Sequence, residues 1–100
     1  MTHILITGAN RGIGLGFVRK YIEKNLHLMC TTRDISGSKE LLAYKEKYPD
    51  NMEIVELDLL KDNAAVTLAN FIKDRPIDIL ISNAGVGSSK QHFQAVSSNQ

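Results

Sequence analysis

The stretch Leu5-Ile6-Thr7-Gly8-Ala9-Asn10-Arg11-Gly12-Ile13-Gly14-Leu15-Gly16 sets a short apolar run directly against four glycines. A tight turn explains one of them, because only a residue without Cβ takes positive φ at no steric cost. Four glycines exceed that need and predict that something comes close to this backbone. The residues that follow are periodic. Leu15, Val18 and Ile22 fall on one helical stripe, with Arg19, Lys20, Glu23 and Lys24 turned outward. The stretch therefore reads as the end of a strand, a glycine turn and the start of a helix.

Working outward, the same beat repeats. Apolar runs begin at His3, Leu26, Met52 and Ile77, spaced by roughly 25 residues, the length of one strand and one helix with their loops. The pattern is βαβαβαβ. The runs His3–Thr7 and Ile77–Ser82 are apolar almost throughout, as suits parallel strands covered on both faces, whereas Glu53–Asp58 alternates and suits a less central strand. In the third connection Ala65, Leu68, Ala69 and Ile72 repeat the helical stripe. The middle helix spans about Lys39 to Tyr48 and stops before Pro49, which disfavours helical backbone at the residue preceding it. Ser36 or Ser38 is a candidate cap for its start, and Asp62 for the third helix. From 86 to 100 the sequence is polar, serine-rich and aperiodic, and is expected to be loop or a frayed helix start.

Composition narrows the function classes. With 100 residues, 43% apolar and 23% charged, the chain suits one domain with a modest core and lacks the polarity of a disordered segment. A net charge of +1 offers nothing to nucleic acid or to an anionic membrane surface. Cys30 is the only cysteine, which rules out an internal disulfide, and its place in mid-strand predicts a buried small hydrophobe. His3, His27 and His92 share no metal-ligand spacing. The start Met1-Thr2-His3 lacks a basic leader and its apolar run is short, so neither a signal peptide nor a membrane span is expected there, and the expected compartment is cytoplasmic.

A helix N-terminus offers unpaired N–H groups and a positive dipole end, and glycines let a pyrophosphate reach the bare backbone. Two familiar phosphate motifs do not fit. Phe17 stands where a G-x-G-x-x-G pattern needs its third glycine, and there is no Gly-Lys-Ser/Thr. The spacing is Thr7-Gly8-x-x-x-Gly12-x-Gly14.

This motif, Thr7–Gly14, resembles the cofactor motif of the short-chain dehydrogenases/reductases. The similarity continues through Thr31-Thr32-Arg33-Asp34, Leu57-Asp58-Leu59 and Ser82-Asn83-Ala84-Gly85, in the family's order and spacing, with Ser82 where asparagine is more usual. Within the family it looks closest to carbonyl reductases of the C-factor or sniffer type. The resemblance implies an α/β fold, the N-terminal portion of a Rossmann-type doubly wound parallel sheet, with residues 1–85 as its dinucleotide-binding half. It implies contacts to a nicotinamide dinucleotide from Gly8, Asn10, Arg11, Gly12, Ile13 and Gly14, from Thr32 and Arg33, from Asp58 and Leu59, and from Asn83, Ala84 and Gly85. NADP is favoured over NAD. Thr32 stands where NAD-preferring members carry aspartate, and Arg33 and Arg11 can fork around a 2′-phosphate, with Asp34 the one dissenting carboxylate.

The family's carbonyl chemistry uses a tyrosine and a lysine four residues on, with a serine. Here Tyr21 is followed at that spacing by Asn25, Tyr44 by Tyr48 and Tyr48 by Met52, so none fits. By resemblance, the catalytic residues come after the fourth strand, beyond residue 100. Two readings stay open. One is the N-terminal portion of an oxidoreductase that reduces carbonyls or oxidises alcohols; the other is a non-catalytic dinucleotide-binding module or pseudoenzyme. On the first reading, the strand Ile77–Ile81 is expected to have an unpaired edge through which copies self-associate, whereas a binding module is expected to close or cap that edge.

Overall fold

The computed structural model describes residues 2–83 and the backbone of residues 93–97. Among these, five strands, β1 (Thr2–Thr7), β2 (Leu26–Thr32), β3 (Met52–Glu56), β4 (Ile79–Asn83) and β5 (Phe93–Ser97), form one sheet in the order β3-β2-β1-β4-β5. The first four run parallel, and β5 runs antiparallel to β4. Helices α1 (Gly12–Tyr21), α2 (Lys39–Lys47) and α3 (Ala64–Ile72) connect the parallel strands.

Register decides which side chains meet. Ile4 lies beside Leu28 and Ile79, and Ile6 beside Cys30 and Ile81. Because side chains alternate along a strand, these residues share one face of the sheet. The stripe Leu15 and Val18 of α1 and Ile22 just beyond its end, with Leu41 of α2, packs on that face with Met52 as one cluster. Ile6, Val18, Leu28, Leu41 and Met52 are fully buried, and each such side chain is worth roughly 1.5–3 kcal/mol of burial. On the other face Leu5 and Met29 are buried as well, which is why β1 reads as an almost unbroken apolar run. The alternating strand β3 lies at the end of the strand order, as its pattern implies.

Glu53 sits on this second face in register with Met29. Its carboxylate contacts His27 Nε2 at 2.5 Å and accepts from Arg75, whose guanidinium also donates to the carbonyls of Phe71 and Ile72 at the end of α3. The ion pair thus ties the end of α3 to the sheet. Partial burial pushes the Glu53 carboxyl up, but the hydrogen bonds and charges of His27 and Arg75 outweigh it and hold the group below its usual range. A depressed carboxyl stabilises the fold above the ordinary glutamate pKa and stops doing so as pH falls through the folded value. The melting temperature is therefore expected to fall on acidification below about pH 4.5, and less steeply in Glu53→Gln. Parallel acid limbs for the two proteins in a melting series would show that the pair carries no such coupling.

Three local expectations are corrected. Ala64 is buried while Ala65 and Ala69 are exposed, so α3 is rolled away from the expected stripe. Its sequence is apolar over most of its circumference, including Val66, Phe71 and Ile72, and periodicity alone cannot fix the phase. Neither proposed cap acts through its side chain: the cap position of α3 is Asn63 rather than Asp62, and Ser38, at the cap position of α2, turns its hydroxyl elsewhere. The third correction lies within 86–100, where a strand stands at Phe93–Ser97 in place of loop or frayed helix. A parallel strand at a sheet edge leaves N–H and C=O groups unpaired, and pairing with β5 satisfies them. The edge of β4 expected to recruit a second copy is thus occupied from within the chain.

Candidate functional site

The carboxyl ends of β1, β2, β3 and β4 (Thr7, Thr32, Glu56 and Asn83) lie along one edge of the sheet. The chain runs from β1 outward through β2 to β3, then returns to place β4 on the other side of β1. That reversal makes the gap between β1 and β4 a topological switch point, where open α/β sheets take their ligands. The glycine turn sits at this point.

The turn is anchored before it reaches the helix. Gly8 N donates to Thr31 Oγ1 at 3.2 Å and Ala9 N to the Thr31 carbonyl at 2.9 Å, tying the end of β1 to β2. Gly8 and Gly12 have φ of 61° and 57°, which demand glycine. Arg11, extended at φ −159°, is the cap residue, and its carbonyl accepts from Leu15 N at 3.2 Å. The N–H groups of Gly12, Ile13 and Gly14 precede that first intrahelical bond. No acidic residue stands in the first turn of α1, so the positive end of the helix keeps its pull on an anion. Gly14 has a different reason. A Cβ there would lie 2.3 Å from the Gly8 carbonyl oxygen, so this glycine lets the helix fold back on its own turn. A Cβ at Gly16 would meet nothing within 4 Å. Three of the four glycines thus serve two needs, positive φ at Gly8 and Gly12 and close contact at Gly14, and Gly16 has no steric requirement.

At the end of β2, Thr32 is 1% exposed and its hydroxyl faces inward, 2.9 Å from Ser38 Oγ. Ser38 Oγ donates to the Asp34 carbonyl at 2.6 Å and Asp34 N donates to Thr32 Oγ1 at 3.3 Å. Thr32, placed among the cofactor contacts by resemblance, therefore acts inside the loop and shapes it. Arg33 is exposed beside it. Glu56, at the end of β3, accepts from Ile35 N at 3.0 Å and pins the same loop from the other side.

Beyond β3, Leu57 N donates to the Thr32 carbonyl at 2.8 Å, and Asp58 Oδ1 accepts from Leu60 N at 3.0 Å. Asp58 thus builds the turn that leaves Leu59 exposed. Asn83 ends β4 by pairing with Phe93; Ala84 and Gly85 lie outside the described residues. The residues that sequence reasoning missed are Ser36, Gly37, Ser38 and Glu56. Their signal was the small polar run Ser36-Gly37-Ser38 after β2, legible as turn chemistry but not as a lock on the loop at Asp34. Among the described residues no His/Cys/Asp/Glu group is arranged to hold a metal, and no helix is long and apolar enough to cross a membrane.

The chain matches the short chain dehydrogenase family over residues 2–100. It belongs to that family. It is 34% identical over 93 residues to a 3alpha-hydroxysteroid dehydrogenase of Mediterraneibacter gnavus, a match covering 89% of this chain and 37% of that protein. It is 34% identical over 94 residues to the (+)-neomenthol dehydrogenase of Arabidopsis thaliana, covering 85% of this chain and 31% of that one. The fold superposes on a carbonyl reductase from Pseudomonas aeruginosa crystallised with NADP, with a TM-score of 0.80 and 34% identity, over 86% of this chain and 39% of that chain. This family member thus spans between 31% and 39% of the length of these relatives.

Proposed function

We propose that this chain binds NADP across the carboxyl ends of β1 and β2 and forms the dinucleotide-binding portion of an oxidoreductase acting on alcohol or carbonyl groups. The observation that carries the reading is the anchored glycine turn at the switch point, opening a helix whose first turn holds no acid. Such a turn suits a pyrophosphate, whose oxygens would take the N–H groups of Gly12, Ile13 and Gly14. The nicotinamide supplies hydride chemistry when bound. The chain's own residues bind and orient: Arg11 and Arg33 provide cations, Asn10 and Ile13 line the turn, and Asp58, Leu59 and the segment Asn83-Ala84-Gly85 extend the contact along the strand ends.

The preference for NADP rests on charge at the end of β2. Dinucleotide sites that take NAD place a carboxylate there to accept from the ribose 2′-OH, and this chain places Arg33 beside an inward-facing Thr32. Relatives with similar folds, such as the Pseudomonas aeruginosa carbonyl reductase crystallised with NADP, support the choice. A charge-assisted hydrogen bond is worth roughly 1.5–3 kcal/mol, so Arg33→Ala is expected to weaken NADP binding about tenfold or more and to leave NAD binding nearly unchanged. Calorimetric titration of both cofactors against both proteins measures this. Equal losses for the two cofactors would refute the assignment of Arg33 to the 2′-phosphate.

A second reading, a dinucleotide-binding module without catalysis of its own, is favoured by one feature: none of the three tyrosines carries a lysine four residues on. The two readings share the same cofactor site.

A further inference from the structure

We infer that Ser36 and Gly37 are specificity-determining residues: they hold the Asp34 carboxylate back against its own loop, and this withdrawal keeps the end of β2 open to a 2′-phosphate. The inference rests on the NADP reading above and deepens it. A carboxylate two residues beyond the end of β2 is placed to do what the acidic residue of NAD sites does, accept from a ribose 2′-OH and repel a phosphate. Asp34 would be that group if its side chain pointed outward.

In the structure Asp34 is exposed, but its carboxylate is engaged by its own loop. Asp34 Oδ1 accepts from Ser36 Oγ at 2.8 Å, and Oδ2 occupies the space beside Gly37, where a Cβ would come within 2.6 Å of it. The backbone around it has little freedom. Asp34 N and its carbonyl are both engaged by the buried pair Thr32 and Ser38, and Ile35 N donates to Glu56. With the backbone held, the rotamer of Asp34 decides where its charge lies. Gly37 is not in the left-handed region, so its backbone accepts any residue; what its missing Cβ provides is room for the carboxylate.

This makes Gly37→Ala a selective probe. The atom it displaces is the far end of a flexible side chain, so the strain is relieved by rotating Asp34 away and the fold is retained. Ser36→Ala removes the hydrogen bond and acts in the same direction on an exposed residue. Each substitution is expected to lower the ratio of NADP to NAD affinity by roughly tenfold, by bringing a like charge towards the phosphate and an acceptor towards the hydroxyl. In an Asp34→Ala background, Gly37→Ala is expected to leave that ratio unchanged.

The experiment is titration of NADP and NAD against the wild-type chain, Gly37→Ala, Ser36→Ala, Asp34→Ala and the Asp34→Ala/Gly37→Ala double variant, with melting curves to verify folding. A drop in the ratio that vanishes in the Asp34→Ala background supports the inference. An unchanged ratio in Gly37→Ala and Ser36→Ala, with the wild type still preferring NADP, overturns it and leaves the site assignment standing. A drop of equal size with and without Asp34 also overturns it, because loop shape rather than the carboxylate would then be responsible. A wild-type chain that binds neither cofactor removes both this inference and the reading beneath it.

Discussion

Gly14→Ala is expected to destabilise the chain by about 3 kcal/mol, the upper end of what overpacking usually costs, while Gly16→Ala, two residues on in the same helix, is expected to stabilise it by roughly 0.5–1 kcal/mol. The difference is steric. A Cβ at Gly14 would lie 2.3 Å from the Gly8 carbonyl oxygen, 3.0 Å from its carbon and 3.1 Å from Ala9 Cα, all backbone atoms. They cannot move independently, because Gly8 and Ala9 are bonded to Thr31 and Gly8 is held at positive φ. Relief therefore means separating α1 from the turn, at the place proposed to hold the pyrophosphate. At Gly16 the added methyl meets nothing, and the helix gains a residue of better propensity. For a domain of this size 1 kcal/mol moves the midpoint by about 4–8 °C, so the two variants should melt well over about 10 °C apart. Thermal and urea denaturation of the pair provide the measurement. Equal stabilities would mean that α1 does not pack against the Gly8 carbonyl in solution.

The repeating strand and helix pattern was legible in the residues alone because hydrophobic periodicity is local: β2 runs from Leu26 to Thr32 and α2 starts at Lys39, as the sequence predicts. The place of the candidate site was legible too, since a glycine cluster between a strand and a helix marks a bare helix N-terminus. Its internal logic was not. Nothing local distinguishes Gly14, which needs its missing Cβ, from Gly16, which does not; the difference is set by where the Gly8 carbonyl comes to lie. Thr32 reads by resemblance as a cofactor contact because it occupies the position of an aspartate, and the link from its hydroxyl to Ser38, six residues on across a turn, is set by the fold of the loop. Likewise β5 follows from the unpaired edge of β4, a property of the sheet and not of Phe93–Ser97. The rolled phase of α3 follows from an apolar surface too broad to specify one face.

Cys30 is expected to react with iodoacetamide at about pH 8 roughly a thousandfold more slowly in the folded chain than in the urea-unfolded one. It lies in β2 between Ile6 and Ile54 on the neighbouring strands, fully buried beneath the layer of α1 and α2. Desolvation there penalises the thiolate and pushes the thiol up from 9.0 to about 12. A rise of that size reduces the reactive thiolate about a thousandfold, before exclusion of the reagent is counted. The sign of the linked stability follows from the same burial. Below about pH 9 the thiol is protonated in both states and contributes no pH dependence; above it the unfolded chain releases a proton that the folded chain retains. Stability should then fall by about 1.4 kcal/mol per pH unit between roughly pH 9 and 12, and Cys30→Ala should lack this component. Modification rates read by mass, with denaturation midpoints at about pH 8 and about pH 10 for both proteins, test the two parts separately. Rapid modification in native buffer would mean that the centre of the sheet is open to solvent, and with it the packing of α1 that the glycine turn depends on.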